Sequence, residues 1–162
     1  MLTLTLVGLF VVAVKSHPWG APCAALNALQ PQHFGAQDGG QKYSISITEN
    51  GSPVQSFQRG ARYTVRITGG SPKGFVLRVI DANSSGRPRN DAGFVTRLPS
   101  CGQYRNCGNQ QTFVTHTGNA QGCDLSFEWT ADTDATAVHF RATVVEQFSL
   151  YYRAFAQLQK SG

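Results

Sequence analysis

The sequence predicts an all-β domain, and three features of the residue pattern support that fold class. Short apolar runs alternate residue by residue with polar side chains, which is typical of strands that bury one face. The chain of 162 residues contains 17 glycines and 7 prolines, which separate these runs. No stretch shows a sustained helical period. About seven short strands separated by turns favour a β-sandwich, in which two sheets enclose one core.

Alternating segments define the predicted strands in chain order. In the first one, Tyr43, Ile45 and Ile47 alternate with serine and threonine. The remaining predicted strands cover residues 62–68, 75–79, 113–116, 125–129, 138–144 and 148–155. The large aromatic side chains that alternate in this way are expected in the core: Tyr63, Phe127, Trp129 and Phe140. Because no domain boundary or repeat interrupts this order, we expect a single domain.

The first sixteen residues predict a secretory signal peptide. Leu2 to Val14 form an apolar run that is shorter than the roughly 20 residues needed to cross a bilayer. Val14 and Ser16 place a branched and a small residue at the −3 and −1 positions of a signal cleavage site. We therefore expect residues 1–16 to be removed and residues 17–162 to form one secreted, extracellular domain without a transmembrane segment. A membrane anchor is the alternative.

The cysteines predict two disulfides, because an even number of cysteines in an exported chain is typical of disulfide pairing. The chain contains four of them, Cys23, Cys101, Cys107 and Cys123. A zinc site is the alternative, but no Cys-x-x-Cys pair is present. The sequence alone allows three pairings. Two Asn-x-Ser triplets, at Asn50 and Asn83, are candidate glycosylation sites.

An ordered set of motifs resembles the reeler domain family. Near the start, Gly-Ala-Pro-Cys at 20–23 precedes Pro-Gln-His at 31–33. Later come Gly-Phe-Val-Leu-Arg at 74–78, Phe-Val-Thr-His at 113–116 and Phe-Arg-Ala-Thr-Val-Val at 140–145. The likeness covers nearly the whole chain after residue 16. It implies an immunoglobulin-like β-sandwich of the reeler type, secreted and stapled by two disulfides.

The same resemblance carries expectations about pairing and function. It implies that Cys23 pairs with Cys107, which leaves Cys101 for Cys123. The chain departs from the family where Cys101 lies six residues before Cys107, so exchanged partners stay an alternative. A free-standing domain of this kind resembles small arthropod defence proteins. This implies a role in innate immunity through contact with microbial surfaces, and an antimicrobial activity is one form of that role.

The distribution of charge suggests where a ligand binds. Residues 59–105 contain nine Lys or Arg and two acids, whereas residues 120–150 contain five acids and one Arg. Arg62 and Arg66 alternate away from the apolar residues of one predicted strand. They therefore lie about 13 Å apart on one exposed face, and Arg78 can extend this face from a neighbouring strand. The alternative is a solvated, charged sheet face without a ligand.

A second group of arginines lies in the longest irregular stretch, residues 81–93, which we call the irregular stretch. Arg87 and Arg89 flank Pro88 there, and loops of this length are often functional. Guanidinium groups bind phosphate and carboxylate through paired hydrogen bonds. The expected partners are therefore anionic polysaccharides or lipids of microbial surfaces, such as lipopolysaccharide and teichoic acid. Glucan is a further candidate among microbial surface polymers.

Enzyme and nucleic-acid functions have little support. No nucleophile motif, phosphate-binding glycine loop or paired-carboxylate arrangement stands out. We therefore expect a protein without enzymatic activity that binds neither a cofactor nor a metal. Export and the lack of an aromatic stacking platform disfavour nucleic acid. We expect a monomer.

Two alternative functions remain. An extracellular matrix or protein-interaction module without antimicrobial activity is one. The other is a copper site, because cleavage after Ser16 makes His17 the amino terminus, as in the copper brace of lytic polysaccharide monooxygenases. That site needs a second histidine, and His116 and His139 are the available ones.

Overall fold

The structure is a computed structural model that describes residues 20–28, 31, 37–84, 91–107 and 112–162. One helix in these residues, α1, spans Cys23–Ala28. Twelve strands follow in chain order: β1 (Gln37–Asp38), β2 (Ser44–Glu49), β3 (Ser52–Pro53), β4 (Ser56–Phe57), β5 (Arg62–Thr68), β6 (Gly74–Asp81), β7 (Phe94–Arg97), β8 (Gly102–Asn106), β9 (Thr112–His116), β10 (Ser126–Thr130), β11 (Ala137–Gln147) and β12 (Leu150–Lys160).

The strands form two sheets, which confirms the predicted all-β sandwich. The seven-stranded sheet has the order β1-β12-β11-β6-β9-β8. The strand β4 also belongs to it, and both β1 and β4 pair in parallel with opposite ends of β12. The five-stranded sheet has the order β3-β2-β5-β10-β7 and is antiparallel throughout. All seven predicted strands are present, and the short strands β1, β3, β4, β7 and β8 were not predicted.

The period-two pattern places one apolar face of each sheet in the core. In β5, Tyr63, Val65 and Ile67 are buried and the residues between them are exposed. The strand β6 differs, because the first seven of its eight residues are buried. Its outer face is covered by a smaller apolar cluster made of Val76, Phe113, Ala21 and Cys107. The segment around α1 therefore packs on the outside of the seven-stranded sheet.

Trp129 occupies the centre of the core and is fully buried. Its ring contacts three aromatic rings at centroid distances of 5.0 to 5.7 Å, those of Phe57, Tyr63 and Phe140. Buried indole N–H groups need an acceptor, and Nε1 of Trp129 donates a hydrogen bond of 2.9 Å to the carbonyl oxygen of Ala92. The four core aromatics expected from the sequence are all buried.

Two disulfides form, with the pairing that the family resemblance implies. Cys23 in α1 bonds to Cys107 after β8, at a sequence separation of 84. Cys101 before β8 bonds to Cys123 before β10, at a separation of 22. The first bond fixes the amino-terminal helix to the sandwich. The second links the residue before β8, in the seven-stranded sheet, to the segment that leads into β10, in the five-stranded sheet.

A hydrogen-bonded cluster around Glu146 closes one end of the sandwich. Its carboxylate accepts hydrogen bonds from Lys42 Nζ at 2.8 Å, from the Tyr43 hydroxyl at 2.6 Å and from the Ser71 N–H at 3.3 Å. The hydrogen bonds from Lys42 and Tyr43 hold the pKa of Glu146 below its usual value. Burial and the neighbouring carboxylate raise the pKa of Tyr43. Glu146 lies on β11, whereas Lys42 and Tyr43 directly precede β2 of the other sheet, so this cluster ties the sheets together.

No helix in the described ranges is long and apolar enough to cross a membrane. The predicted signal peptide, residues 1–16, lies outside the described residues. Its removal, and secretion of the remaining chain, stay predictions.

Removing the two disulfides separately should cost different amounts of stability. Changing Cys23 and Cys107 to serine is expected to lower the free energy of unfolding by about 4–5 kcal/mol, and changing Cys101 and Cys123 by about 3 kcal/mol. The reason is that a longer closed loop restricts the unfolded chain more. Urea denaturation of both double variants measures this. A larger loss from the shorter loop would contradict the prediction.

The Glu146 cluster should make stability depend on pH. Glu146→Gln is expected to lower the free energy of unfolding by about 1–2 kcal/mol at pH 7, because charge-assisted hydrogen bonds are lost. The pKa of Glu146 is lower in the folded state than the ordinary 4.5. The stabilisation is therefore full above that value and disappears as the pH falls through the folded pKa. Urea denaturation from pH 3 to pH 7 should show the two proteins converging in acid.

Candidate ligand-binding face

The outer face of the five-stranded sheet carries two of the arginines that the sequence selected. In β5, Arg62 and Arg66 point away from the core, on the opposite side of the strand from Tyr63 and Val65. Their side chains are 75% and 52% exposed. The prediction that both lie on one exposed sheet face is confirmed.

Hydroxyl groups surround these arginines. Across the paired strands, Ser46 and Ser126 lie on either side of Arg66, and Thr130 lies beside Arg62. The other hydroxyl side chains of the same face are Ser44, Thr48, Thr64, Thr68 and Thr96. We call this surface, formed by β2, β5, β10 and β7, the arginine face. It is an open sheet surface on which hydroxyl and charged side chains predominate.

Acidic side chains neutralise the two arginines to different extents. Arg66 forms an ion pair of 3.0 Å with Asp124. Arg62 lies 4.0 Å from Glu128, whose carboxylate also accepts a hydrogen bond of 2.9 Å from Thr96. Exposed ion pairs of this kind contribute only about 0–1 kcal/mol and are screened by salt. An anionic ligand can therefore replace these partners at little cost, most easily at Arg62.

The strand β7 adds two exposed residues that the sequence analysis did not select. Phe94 is 61% exposed and lies opposite Thr130 on the arginine face. Arg97 is exposed and lies opposite Glu128, and no acid in the described ranges forms an ion pair with it. The sequence signal was weak, because β7 has only four residues. A strand was therefore not predicted there.

Arg78 does not extend the arginine face, and that expectation was wrong. It lies on β6, which belongs to the seven-stranded sheet, because the chain crosses between the sheets after β5. Its side chain is only 8% exposed, and its Nε donates a hydrogen bond of 2.8 Å to Asp91. Its guanidinium lies over the ring of Phe113, at 4.9 Å from the centroid. Arg78 therefore fixes one end of the irregular stretch to the sheet.

The remaining predicted positions have mixed outcomes. Arg87 and Arg89 lie outside the described residues, and their role stays a prediction.

Asn50 is exposed in the turn between β2 and β3. It has a φ of 50° and precedes Gly51, with a φ of 84°, as in a tight hairpin turn. Asn83 is exposed, and its amide donates a hydrogen bond of 2.6 Å to Thr136. Glycan attachment at either asparagine is a prediction.

The two described histidines make protein contacts at different places. Burial lowers the pKa of His116, whose Nδ1 lies 3.1 Å from the backbone nitrogen of Phe75. The His139 ring lies edge-on to Phe155 at 4.9 Å, and its Nε2 lies 3.0 Å from Gln157. His116 is beside Phe75 and His139 is paired with Ile80, five positions further along β6.

The distance between His116 and His139 excludes a metal ion bound by both. Five positions along a strand correspond to about 17 Å, so His116 and His139 cannot bind the same metal ion. The described residues contain no group of three or more metal-binding side chains. His17 lies outside the described residues, so the copper alternative stays untested.

The different settings of Arg78 and Arg62 predict different effects on stability. Arg78→Met is expected to lower the free energy of unfolding by about 2–3 kcal/mol, because Asp91 loses its largely buried partner. The matched change Arg62→Met should alter it by no more than about 0.5 kcal/mol, as at an ordinary surface site. Urea denaturation at pH 7 compares the two. Equal stabilities would contradict the structural role of Arg78.

Comparison with known proteins by sequence gives one family. The family model described as the reeler domain matches residues 24–160. The chain is also 28% identical, over 148 residues, to ferric-chelate reductase 1 of Bos taurus. That alignment covers 89% of this chain and 24% of the relative. The chain therefore spans about a quarter of the length of this curated relative.

Solved structures show the same fold. The human F-spondin reeler domain superposes with a TM-score of 0.61 at 18% identity, covering 78% of this chain and 94% of that chain. The structure titled Reelin-N domain of F-spondin gives a TM-score of 0.62 at 16% identity, covering 86% and 99%. With the family model matched over most of the sequence, the chain belongs to the reeler domain family.

Proposed function

We propose that this protein is a secreted defence protein whose arginine face binds anionic polymers of microbial surfaces. The observation that carries the proposal is the exposure of Arg62, Arg66 and Arg97 within an open, hydroxyl-rich sheet face. An open sheet face suits an extended polymer, whereas a small molecule is normally held in a concave pocket.

The chemistry of the face matches such a ligand. Guanidinium groups donate two parallel hydrogen bonds to phosphate or carboxylate, which are the charged groups of lipopolysaccharide and teichoic acid. The serine and threonine hydroxyls can donate to and accept from sugar hydroxyls. The formal net charge is +5 for the full sequence and becomes +4 when Lys15 is removed with residues 1–16. This positive charge favours the approach of a polyanion, since long-range attraction raises the rate of encounter.

Two further features are consistent with an extracellular role. Both disulfides suit an oxidising compartment, and we propose that residues 1–16 direct export. Arg87 and Arg89 supply additional cations in our proposal. The irregular stretch that carries them begins at Asp81, the last residue of β6, and the Arg78–Asp91 ion pair holds its far end. We propose a monomer that needs neither cofactor nor metal and has no enzymatic activity.

One observation favours a second candidate function. The chain spans only 24% of ferric-chelate reductase 1, so a domain of this family also occurs as one part of a larger protein. A module for protein contact in an extracellular matrix is therefore the alternative. Binding to microbial polymers separates the two, because a matrix module has no need of it.

Removing the cations of the arginine face should weaken binding to anionic polymers. The triple variant Arg62→Ser, Arg66→Ser and Arg97→Ser is expected to bind immobilised lipoteichoic acid at least ten-fold more weakly. Its affinity should also depend less on NaCl concentration, because fewer counterions are released. Surface plasmon resonance at several salt concentrations measures both effects.

The control removes the same charge elsewhere. Lys73, Arg153 and Lys160 are exposed or partly exposed and lie outside the arginine face. Changing all three to serine should leave the affinity within two-fold of the wild-type affinity. Arg87→Ser with Arg89→Ser then measures the share of the irregular stretch. Equal losses in the triple variant and its control would mean that net charge, and not this face, attracts the polymer.

A further inference from the structure

Phe94 is an unusual residue for the surface on which it lies. The described large apolar residues include four that are exposed, and Phe94 is the most exposed of them at 61%. Its neighbours on the arginine face are hydroxyl and charged side chains. Single exposed apolar residues are common on proteins, so the position and the support of this ring decide whether it has a role.

Phe94 lies near two exposed arginines, Arg62 and Arg97. On β10, Thr130 pairs with Phe94 on one side and with Arg62 on the other, so these three residues form one row across the sheet. Phe94 and Arg62 are thus two strand spacings, about 10 Å, apart. Arg97 is three residues further along β7, again about 10 Å away. Phe94 therefore lies at a corner, with Arg62 two strands away across the sheet, Arg97 further along its own strand and Thr130 beside it.

The backbone that carries Phe94 is held from both sides. Gly93 has a φ of 68°, and a Cβ there would meet the Thr130 carbonyl oxygen and lie 2.7 Å from Nε1 of Trp129. The neighbouring Ala92 accepts the hydrogen bond from that indole. On the other side of Phe94, the Tyr104 hydroxyl donates a hydrogen bond of 2.6 Å to the carbonyl oxygen of Val95. The ring is thus presented on a fixed strand, which reduces the entropy lost when a ligand binds.

These features match the chemistry of one kind of polymer. A pyranose ring has an apolar face of C–H groups, which packs on an aromatic ring, and a rim of hydroxyls. We infer that Phe94 stacks on one sugar ring of a chain whose neighbouring sugars reach Arg62 and Arg97, so that the arginine face binds an acidic polysaccharide; this inference rests on the proposed function. The acidic substituents of neighbouring sugars bind the two arginines, and the sugar hydroxyls bind Thr130 and Thr96.

The experiment compares ligands that share charge but differ in sugar content. The probes are polygalacturonate, inorganic polyphosphate, neutral dextran and vesicles of phosphatidylglycerol. The wild-type protein should bind polygalacturonate more tightly than polyphosphate or the vesicles. Phe94→Ser and Phe94→Leu should each weaken binding to polygalacturonate at least five-fold and leave binding to polyphosphate within two-fold. The salt dependence should not change, because no charge is lost.

The matched control is Phe155→Ser, which removes another exposed phenylalanine, 56% exposed on β12 of the other sheet. It should leave all affinities unchanged, and thermal unfolding should confirm that every variant is folded. If the Phe94 variants bind polygalacturonate as wild type does, the stacking role is overturned while the proposed function stands. If wild type binds none of the anionic probes, or binds them independently of Arg62, Arg66 and Arg97, the proposed function itself fails.

Discussion

The burial of Trp129 between the two sheets is the constraint on which both the core and the candidate site depend. A buried indole must find an acceptor for its N–H group, and here the acceptor is the carbonyl oxygen of Ala92. Directly after Ala92 the backbone runs so close to the indole that a Cβ at position 93 would meet the Trp129 ring and the Thr130 carbonyl oxygen. Glycine is therefore the residue that fits at position 93 without strain. The packing of the core thereby fixes the start of β7 and the place at which Phe94 reaches the surface.

The arginines of this protein show how the position of a charge within the sandwich determines its role. Arg62 is on the outer face of the five-stranded sheet, where water screens its distant acid, and it remains available to a ligand. Arg78 is on the outer face of the other sheet, beneath covering residues, where its ion pair with Asp91 maintains the structure. Both are arginines on regular strands, and they differ only in what packs over them.

Membership of the reeler domain family accounts for the fold and leaves the ligand open. The solved relatives share the sandwich at 16% and 18% identity, and a shared fold supports many different functions. The proposed ligand therefore depends on this chain's own surface, on the fixed strand under Phe94, the exposed arginines and the hydroxyl groups. The two disulfides and the Glu146 cluster hold together the scaffold that presents them.

The sequence by itself determined the β-sandwich, seven of its strands, the aromatic core and the outward position of Arg62 and Arg66, because alternation along one strand depends only on neighbours in the chain. The motifs that resemble the reeler domain family also predicted which cysteines pair. Tertiary structure alone decided that β5 and β6 belong to different sheets, which separates Arg78 from Arg62. It also decided the place of Phe94, since the short strand β7 has no clear alternation and is defined by its pairing with β10. Such pairing joins residues that are distant in the chain, so a pattern within one short segment does not predict it.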